Sequence, residues 1–277
     1  MYLTINLIGG LGNQLFMIYA AFSFAKKNNM ELIFEYKNIL DCGFRRTTYW
    51  NNMFLHIKDK CDTINKKTFV TILEKEFAYN PLPKPKKNTI LKGYFQSNKY
   101  FNEFYEPIYK ILKIDDLKHN LVKKHKNLIK NNSIALHFRL ADYKDIQHIH
   151  PLINNGYYID ALQYIIDTTN NDQWTVNYFC EECDIKEVNN KINEIKSNFS
   201  NLQFERISYE ISDWEQMLLM SLCEHNIIAN STFSWWGAYF NNNKDKIVCY
   251  PSIWFGSAIK HNTKDLFPEK WTKISAN

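Results

Sequence analysis

No stretch of this 277-residue sequence is long and apolar enough to cross a bilayer. The longest nearly apolar run, residues 15–25, falls short of the roughly 18 to 20 residues that a helical span requires. The first ten residues, Met-Tyr-Leu-Thr-Ile-Asn-Leu-Ile-Gly-Gly, carry neither a basic region nor a cleavage pattern, so no secretory signal is expected. The six cysteines, at 42, 61, 180, 183, 223 and 249, have no disulfide-framework spacing, which makes a reducing, cytoplasmic compartment the expectation. Cys180-Glu-Glu-Cys183 lacks a second pair or a nearby histidine pair, so it reads as the end of a strand over 175–180 rather than as a zinc or redox centre. No Asp-x-Asp stands at a strand end to hold a metal, and Glu182-Cys183-Asp184 reads as surface. The lysines are scattered; no block is dense enough to argue for nucleic acid. No His, Ser and Asp order suggests a hydrolase triad, and no internal repeat is found.

What is present describes a globular chain. Hydrophobic residues make up 45%, enough for a sizeable core without covalent staples, and the length suits one large domain or two ordinary ones. A formal charge of +5 suits a polyanionic ligand such as a nucleotide. Residues 2–8 read as a strand, Gly9-Gly-Leu-Gly12-Asn13-Gln14 as a tight turn, 15–27 as a helix and 31–35 as the next strand. Gly10-x-Gly12 with Glu35 resembles a dinucleotide fingerprint, but the third glycine is missing, and no Gly-Lys-Ser/Thr follows to make a P-loop. Residues 41–89 read as loop-rich, with an exposed connector at 81–87. A strand over 89–95 and helices over 99–112 and 115–129 follow, the last with a stripe of Leu117, Leu121, Val122, Leu128 and Ile129. The polar break Lys130-Asn131-Asn132 places a domain boundary between 1–130 and 131–277. Beyond it, strands at 133–139, 175–180, 202–207, 226–229 and 246–250 alternate with helices at 156–168, 185–196, 213–223 and 233–240. That alternation is the pattern of a parallel, doubly wound sheet. Two such domains facing each other across a cleft are expected, with the tail around 267–271 packing back on one of them.

Residues 225–239, His-Asn-Ile-Ile-Ala-Asn-Ser-Thr-Phe-Ser-Trp-Trp-Gly-Ala-Tyr, read strand, hydroxyl-rich turn, helix. Asn230, Ser231 and Thr232 are all favoured helix N-caps. A helix opening there aims backbone N–H groups and a positive dipole end at whatever lies above the turn, which is a site for phosphate. His137-Phe-Arg139-Leu-Ala-Asp142-Tyr143 ends another strand of the same sheet. Alternation puts His137 and Arg139 on one side, and the planar arginine fork matches a pyrophosphate. Asp142 reads equally as a proton acceptor, with Asp145 behind it, or as the residue that orients Arg139. Trp235, Trp236 and Trp254 are either faces for a sugar ring or core residues, with the core reading favoured for Trp235 and Trp236. His148 and His150 read as part of a solvated loop.

Four blocks, Gly9-Gly-Leu-Gly-Asn-Gln-Leu-Phe16, Gly93-Tyr-Phe-Gln-Ser97, His137-x-Arg139-x-x-Asp142-Tyr143 and Ala229-Asn-Ser-Thr-Phe-Ser-Trp-Trp-Gly-Ala238, resemble in order and spacing the α-1,2-fucosyltransferases of glycosyltransferase family 11. Trp254-Phe255 fits the same pattern. The resemblance implies an α/β, GT-B-like fold of two facing Rossmann-like domains with parallel sheets, an N-terminal acceptor side and a C-terminal donor side. It also implies metal-independent, inverting transfer of L-fucose from GDP-β-L-fucose to the 2-hydroxyl of a galactose-terminated glycan. No cofactor and no nucleic-acid partner are expected, and membrane association is peripheral at most, through a lipid-linked acceptor. By this resemblance Arg139 holds the donor pyrophosphate, His137 lies near the nucleoside, Asn230, Ser231, Thr232 and Ser234 contact the donor, and Gly10, Gly12, Asn13 and Gln14 form an acceptor-side loop. The family's arginine motif reads His-x-Arg-Arg-Gly-Asp, whereas this chain has Leu140 and Ala141 in its middle. A transferase of another GDP-hexose, a sugar-nucleotide-binding protein without catalysis and a dinucleotide oxidoreductase are the alternative readings.

Overall fold

Strands Ser133–His137 and Thr175–Phe179 are buried at every position, as strands covered on both faces must be. They form the middle of a six-stranded, all-parallel sheet in the order Gln203–Arg206, Thr175–Phe179, Ser133–His137, His225–Ile227, Val248–Pro251, Thr272–Ile274. Numbered along the chain within this sheet, the order is 3-2-1-4-5-6. The direction of winding therefore reverses between Ser133–His137 and His225–Ile227, where Leu136 is in register with Ile227. Helices Asn155–Thr169 and Ile185–Lys196 pack together, and Asp213–Met220 packs on Thr232–Tyr239. Asn154 caps the first of these through Tyr157 N–H at 3.0 Å, and Asn170, with φ +49°, ends it in the left-handed conformation. The buried Tyr157 hydroxyl bridges two neighbouring chain segments, 2.6 Å from Ile228 O, just past one strand, and 3.0 Å from Cys249 O within the next.

The computed structural model describes residues 1–41, 45–126, 128 and 130–276. Cys42 and the Ile129 end of the helical stripe read over 115–129 lie outside the described residues. Two compact units emerge, residues 1–117 with 261–268 and residues 118–260 with 269–277. The first has its own parallel sheet, in the order Glu31–Leu32, Tyr2–Ile5, Thr89–Lys92, Val70–Leu73. Its helix Leu11–Lys27 is apolar on nearly every face, which is why it lies within the core.

Several elements differ from the sequence expectation for identifiable reasons. The break at 130–132 falls inside the second unit, because helix Ile114–Lys124 ties its later half there: Lys118 donates to Phe240 O, and Lys124 pairs with Glu215 at 2.7 Å. The strand read over 31–35 divides, with Glu31–Leu32 in the main sheet and Phe34–Glu35 paired to Cys61–Asp62. The helix read over 99–112 is two short 3-10 turns followed by Tyr105–Ile111, because the buried Phe101 leaves helical geometry at φ −140° and ψ 0°. Strand Val70–Leu73 lies in the region read as loop. In the tail, residues 261–268 belong to the first unit, where Asp265 accepts from Tyr79 N at 3.1 Å and Lys99 Nζ at 2.6 Å, while Thr272–Ile274 is an edge strand of the second.

Candidate active site

Open parallel sheets bind ligands beyond the carboxyl ends of their strands at the point where the order reverses. In the second unit that point joins the two segments singled out by sequence. His137 ends its strand 7% exposed, its ring 5.5 Å from that of Phe233 on the neighbouring helix. Its carbonyl accepts from Tyr158 O–H at 3.1 Å, while its Nδ1 is buried without a partner. Burial first, and the Arg139 charge second, push its pKa down to about 3, so the ring is neutral at neutral pH.

Arg139 follows, its side chain 17% exposed. Its guanidinium is held between the carboxylates of Asp142 and Glu181 and lies 4.9 Å over the Tyr143 ring. Leu140 is buried in the core cluster with Phe138, an apolar environment that suits leucine. Ala141 has φ +26°, a conformation that L residues rarely adopt, at the place where the related motif has glycine. The turn it opens, Ala141–Asp145, is anchored by Asp184, whose Oδ2 accepts from Ala141 N and whose Oδ1 accepts from Lys144 Nζ, each at 2.7 Å. Lys144 also reaches Glu187 at 2.9 Å, and its bonds to Asp184 and Glu187 raise its pKa. Asp184 is only 1% exposed, which corrects its reading as surface: a buried carboxylate is needed there as acceptor for the turn. Cys183 beside it is exposed, Cys180 is buried, and both are free thiols. Asp145 is exposed.

On the adjacent strand end, Ser231 caps helix Thr232–Tyr239 by accepting from Phe233 N at 3.3 Å. Thr232, half-buried, opens the helix. The other two predicted donor contacts are turned inward. Ser234 Oγ donates to Ser231 O at 3.3 Å within the same turn, and Asn230 donates to Pro151 O at 2.9 Å and Trp254 O at 3.4 Å. Asn230 Oδ1 is buried without a partner. Tyr143 O–H, 3.3 Å from Asn230 O, links the arginine turn to the helix cap directly.

His148 is exposed, as the solvated-loop reading has it, whereas His150 turns onto the site. The His150 ring stacks on Tyr143 at 4.6 Å and lies 5.6 Å from Phe255. Gly256 N and Ala258 N donate to Ile149 O at 2.8 Å and His148 O at 2.9 Å. A Cβ at Gly256 would meet His148 O at 2.4 Å, so glycine permits the approach. Burial lowers the His150 pKa, opposed by Asp142 and reinforced by Arg139. Trp235 and Trp236 are fully buried, and Trp254 is nearly so, which makes all of them core residues.

In the first unit, Tyr2–Ile5 and Thr89–Lys92 are parallel neighbours at the middle of the sheet. Gln14 is fully buried and donates to Gly9 O at 3.0 Å and Thr47 O at 2.8 Å, so it braces the glycine turn. Asn13 Oδ1 accepts from Gln96 Nε2 at 3.0 Å, joining the turn to the segment after Thr89–Lys92. Gly9 sits at φ +74°, and a Cβ there would lie 2.4 Å from Asn13 Nδ2, whereas a Cβ on Gly10 would meet nothing within 4 Å. Gly12 is buried in the first turn of the helix.

Residues 1–275 match the family described as Glycosyl transferase family 11. An alpha-1,2-colitosyltransferase from Escherichia coli is 32% identical over 97% of both chains. The O-antigen biosynthesis glycosyltransferase WbnK, also from Escherichia coli, is 27% identical over 97% of this chain and 99% of its own. Arabidopsis thaliana FUT1, solved in complex with GDP, shares the fold with a TM-score of 0.51, at 11% identity over 89% of this chain and 69% of its own. The two parallel-sheet units are those of a GT-B-like α/β protein. The chain belongs to glycosyltransferase family 11.

Proposed function

We propose that the protein is an inverting, metal-independent α-1,2-fucosyltransferase that moves L-fucose from GDP-β-L-fucose to the 2-hydroxyl of a galactose-terminated glycan. The observation that carries this reading is the meeting of Arg139 with the N-terminus of helix Thr232–Tyr239 at adjacent strand ends, linked through Tyr143 and Asn230. As the sugar departs, negative charge collects on the β-phosphate, and fixed donors aimed at that charge are the strongest catalytic lever such a site has. Arg139 supplies a planar fork, and the helix supplies first-turn N–H groups with the Ser231 and Thr232 hydroxyls beside them. The neutral His137 borders the nucleoside side. Asn230, Ser234 and Asp184 hold these groups in place.

Asp142 pairs with Arg139, which favours the orienting role over the proton-accepting one. Asp142→Asn separates the two roles. Retained GDP binding with abolished transfer supports the base; lost GDP binding supports the orienting residue.

A second reading, transfer from a different GDP-hexose, is favoured by the colitosyltransferase relative and by Leu140 and Ala141 in the arginine motif. Parallel turnover with GDP-fucose, GDP-colitose and GDP-mannose discriminates. The acceptor is in either case a glycan, of O-antigen type by the second relative, met at the cytoplasmic face of a membrane if it is lipid-linked. The describable helices include none long and apolar enough to cross a membrane.

The decisive experiment is thermal unfolding in EDTA with GDP, GDP-fucose, UDP and NAD. A ligand at 100 times its dissociation constant adds about 2.7 kcal/mol. A shift with GDP and GDP-fucose but not with UDP or NAD is expected, followed by linkage analysis of the transfer product. Loss of the GDP response in EDTA overturns metal independence, GDP binding without transfer indicates a binding protein, and a response to NAD alone overturns the reading altogether.

A further inference from the structure

The first unit holds a cleft that the donor site leaves unused. Its volume is about 250 Å³, and it opens where residues 5–8 leave the carboxyl end of strand Tyr2–Ile5. Ile5 and Leu40, both buried, form its floor. Asn6, Glu35, Lys37 and Lys66 stand on its rim. Lys66 Nζ donates to Asn6 Oδ1 at 2.8 Å and Glu35 Oε2 at 2.6 Å, and Lys37 lies 3.5 Å from Glu35. The bond from Lys66 is the largest influence holding the Glu35 carboxyl below its ordinary pKa, against the opposing effect of burial.

We propose that this cleft binds one ring of a neutral sugar, and that the ring belongs to the acceptor glycan. The assignment to the acceptor rests on the transferase reading above; the assignment to a neutral sugar rests on the cleft alone. Both rim lysines are already engaged by Glu35, and Asp41 completes a lining with two cations and two carboxylates, so no charge of either sign is in excess for an ionic ligand. A phosphate or an acidic sugar would have to displace Glu35 from Lys66. A pyranose needs no such exchange, because its hydroxyls both donate and accept, and so extend a network of amide, carboxylate and ammonium groups. Its C–H face meets the Ile5 and Leu40 floor. Size points the same way. Pockets for drug-sized ligands run from about 300 to 1,000 Å³, so this cleft suits a single ring rather than an oligosaccharide or a dinucleotide. The location, beyond a strand end of an open parallel sheet, is where such folds place ligands. The engagement of Glu35 by Lys66 also gives that carboxylate a role other than a nucleotide ribose contact.

Saturation-transfer NMR on the full chain tests the proposal, with methyl β-D-galactopyranoside, methyl β-D-glucopyranoside, N-acetylneuraminic acid and NADH as probes. Binding of a methyl glycoside is expected, weakened at least tenfold by Lys66→Met and by the gentler Glu35→Gln, with the GDP-induced thermal shift unchanged in both variants. In transfer assays the same variants raise the acceptor KM and leave the donor KM in place. The proposal is overturned if neither glycoside binds, if N-acetylneuraminic acid or NADH binds in preference, or if folded variants bind the glycoside as tightly as the parent. Failure of the transferase reading looks different: the chain then ignores GDP, while glycoside binding and its loss in the variants still report on the cleft.

Discussion

The two units set different chemistry beyond the strand ends of their parallel sheets. The second sheet, ordered 3-2-1-4-5-6 along the chain, reverses its winding at its centre, whereas the first, ordered 2-1-4-3, steps the same way from its first strand to its second and from its third to its fourth; in each, a braced loop follows a central strand. In the second unit a guanidinium stands at the reversal, gripped by two carboxylates and backed by a helix N-terminus. In the first, the loop after Tyr2–Ile5 carries glycines and amide side chains, and the charged groups Glu35, Lys37 and Lys66 pair with one another. A strand end with a clamped cation favours an anion; a strand end lined by main chain and amides favours a ligand that is bound by shape and hydrogen bonding. The strand order supplies the location, and the side chains set there supply the ligand class.

Substitutions break or sharpen that contrast. Arg139→Ala removes the cation from the second unit's strand ends, and turnover should fall roughly 10² to 10³-fold, the scale for losing one transition-state donor; near-normal kcat in a folded variant removes Arg139 from the mechanism. Asp184→Ala strips the support beneath the arginine turn and should lower stability by about 1.5–3 kcal/mol, the worth of hydrogen bonds to a charged group, read by denaturant unfolding. Gly9→Ala forces a side chain into a left-handed conformation and should cost about 1–2 kcal/mol. Its neighbour Gly10→Ala, with open space around the new methyl, should stay within about 0.5 kcal/mol in the same assay.

His137 adds a pH dependence to the second unit's site. Its folded pKa is depressed to about 3 from an ordinary 6.5, so below pH 6.5 the unfolded chain binds a proton that the folded chain refuses. Stability from this group is complete above pH 6.5 and declines as pH falls toward 3, by about 1 kcal/mol between pH 6.5 and 5.5. Unfolding curves of the parent and of His137→Gln should diverge in that direction; parallel curves would mean that the ring is protonated in the fold. An effect of opposite sign is expected from Ala141→Gly, which relieves the positive φ at the arginine turn and should stabilise by about 0.5–1 kcal/mol, the balance of backbone strain against unfolded-state entropy.

The alternation of strands and helices after residue 133 is legible in the sequence because buried parallel strands are short, continuous apolar runs. The arginine turn and the helix cap are legible because each combines a strand end with a chemically distinctive residue. Strand Val70–Leu73 is not, because it lies at a sheet edge with Val70 and Leu73 about half exposed and so lacks the apolar run that marks its neighbours. The supports of Arg139 are hidden for another reason. Glu181 and Asp184 lie more than 40 residues along the chain, and nothing in a carboxylate's identity tells whether it faces water or accepts a buried N–H. The His150 loop is hidden in the same way, since its stack on Tyr143 and its approach to Gly256 exist only once distant segments meet.

The excursion of residues 261–268 into the first unit has a consequence for how the protein can be cut. The backbone passes from one unit to the other at 117/118, at 260/261 and again at 268/269, so no single scission yields two whole pieces. A fragment ending near 117 is deprived of Asp265, the acceptor for Tyr79 N and Lys99, and one ending near 260 also loses the edge strand Thr272–Ile274. During synthesis the first unit therefore stays unfinished until nearly all of the second has been made.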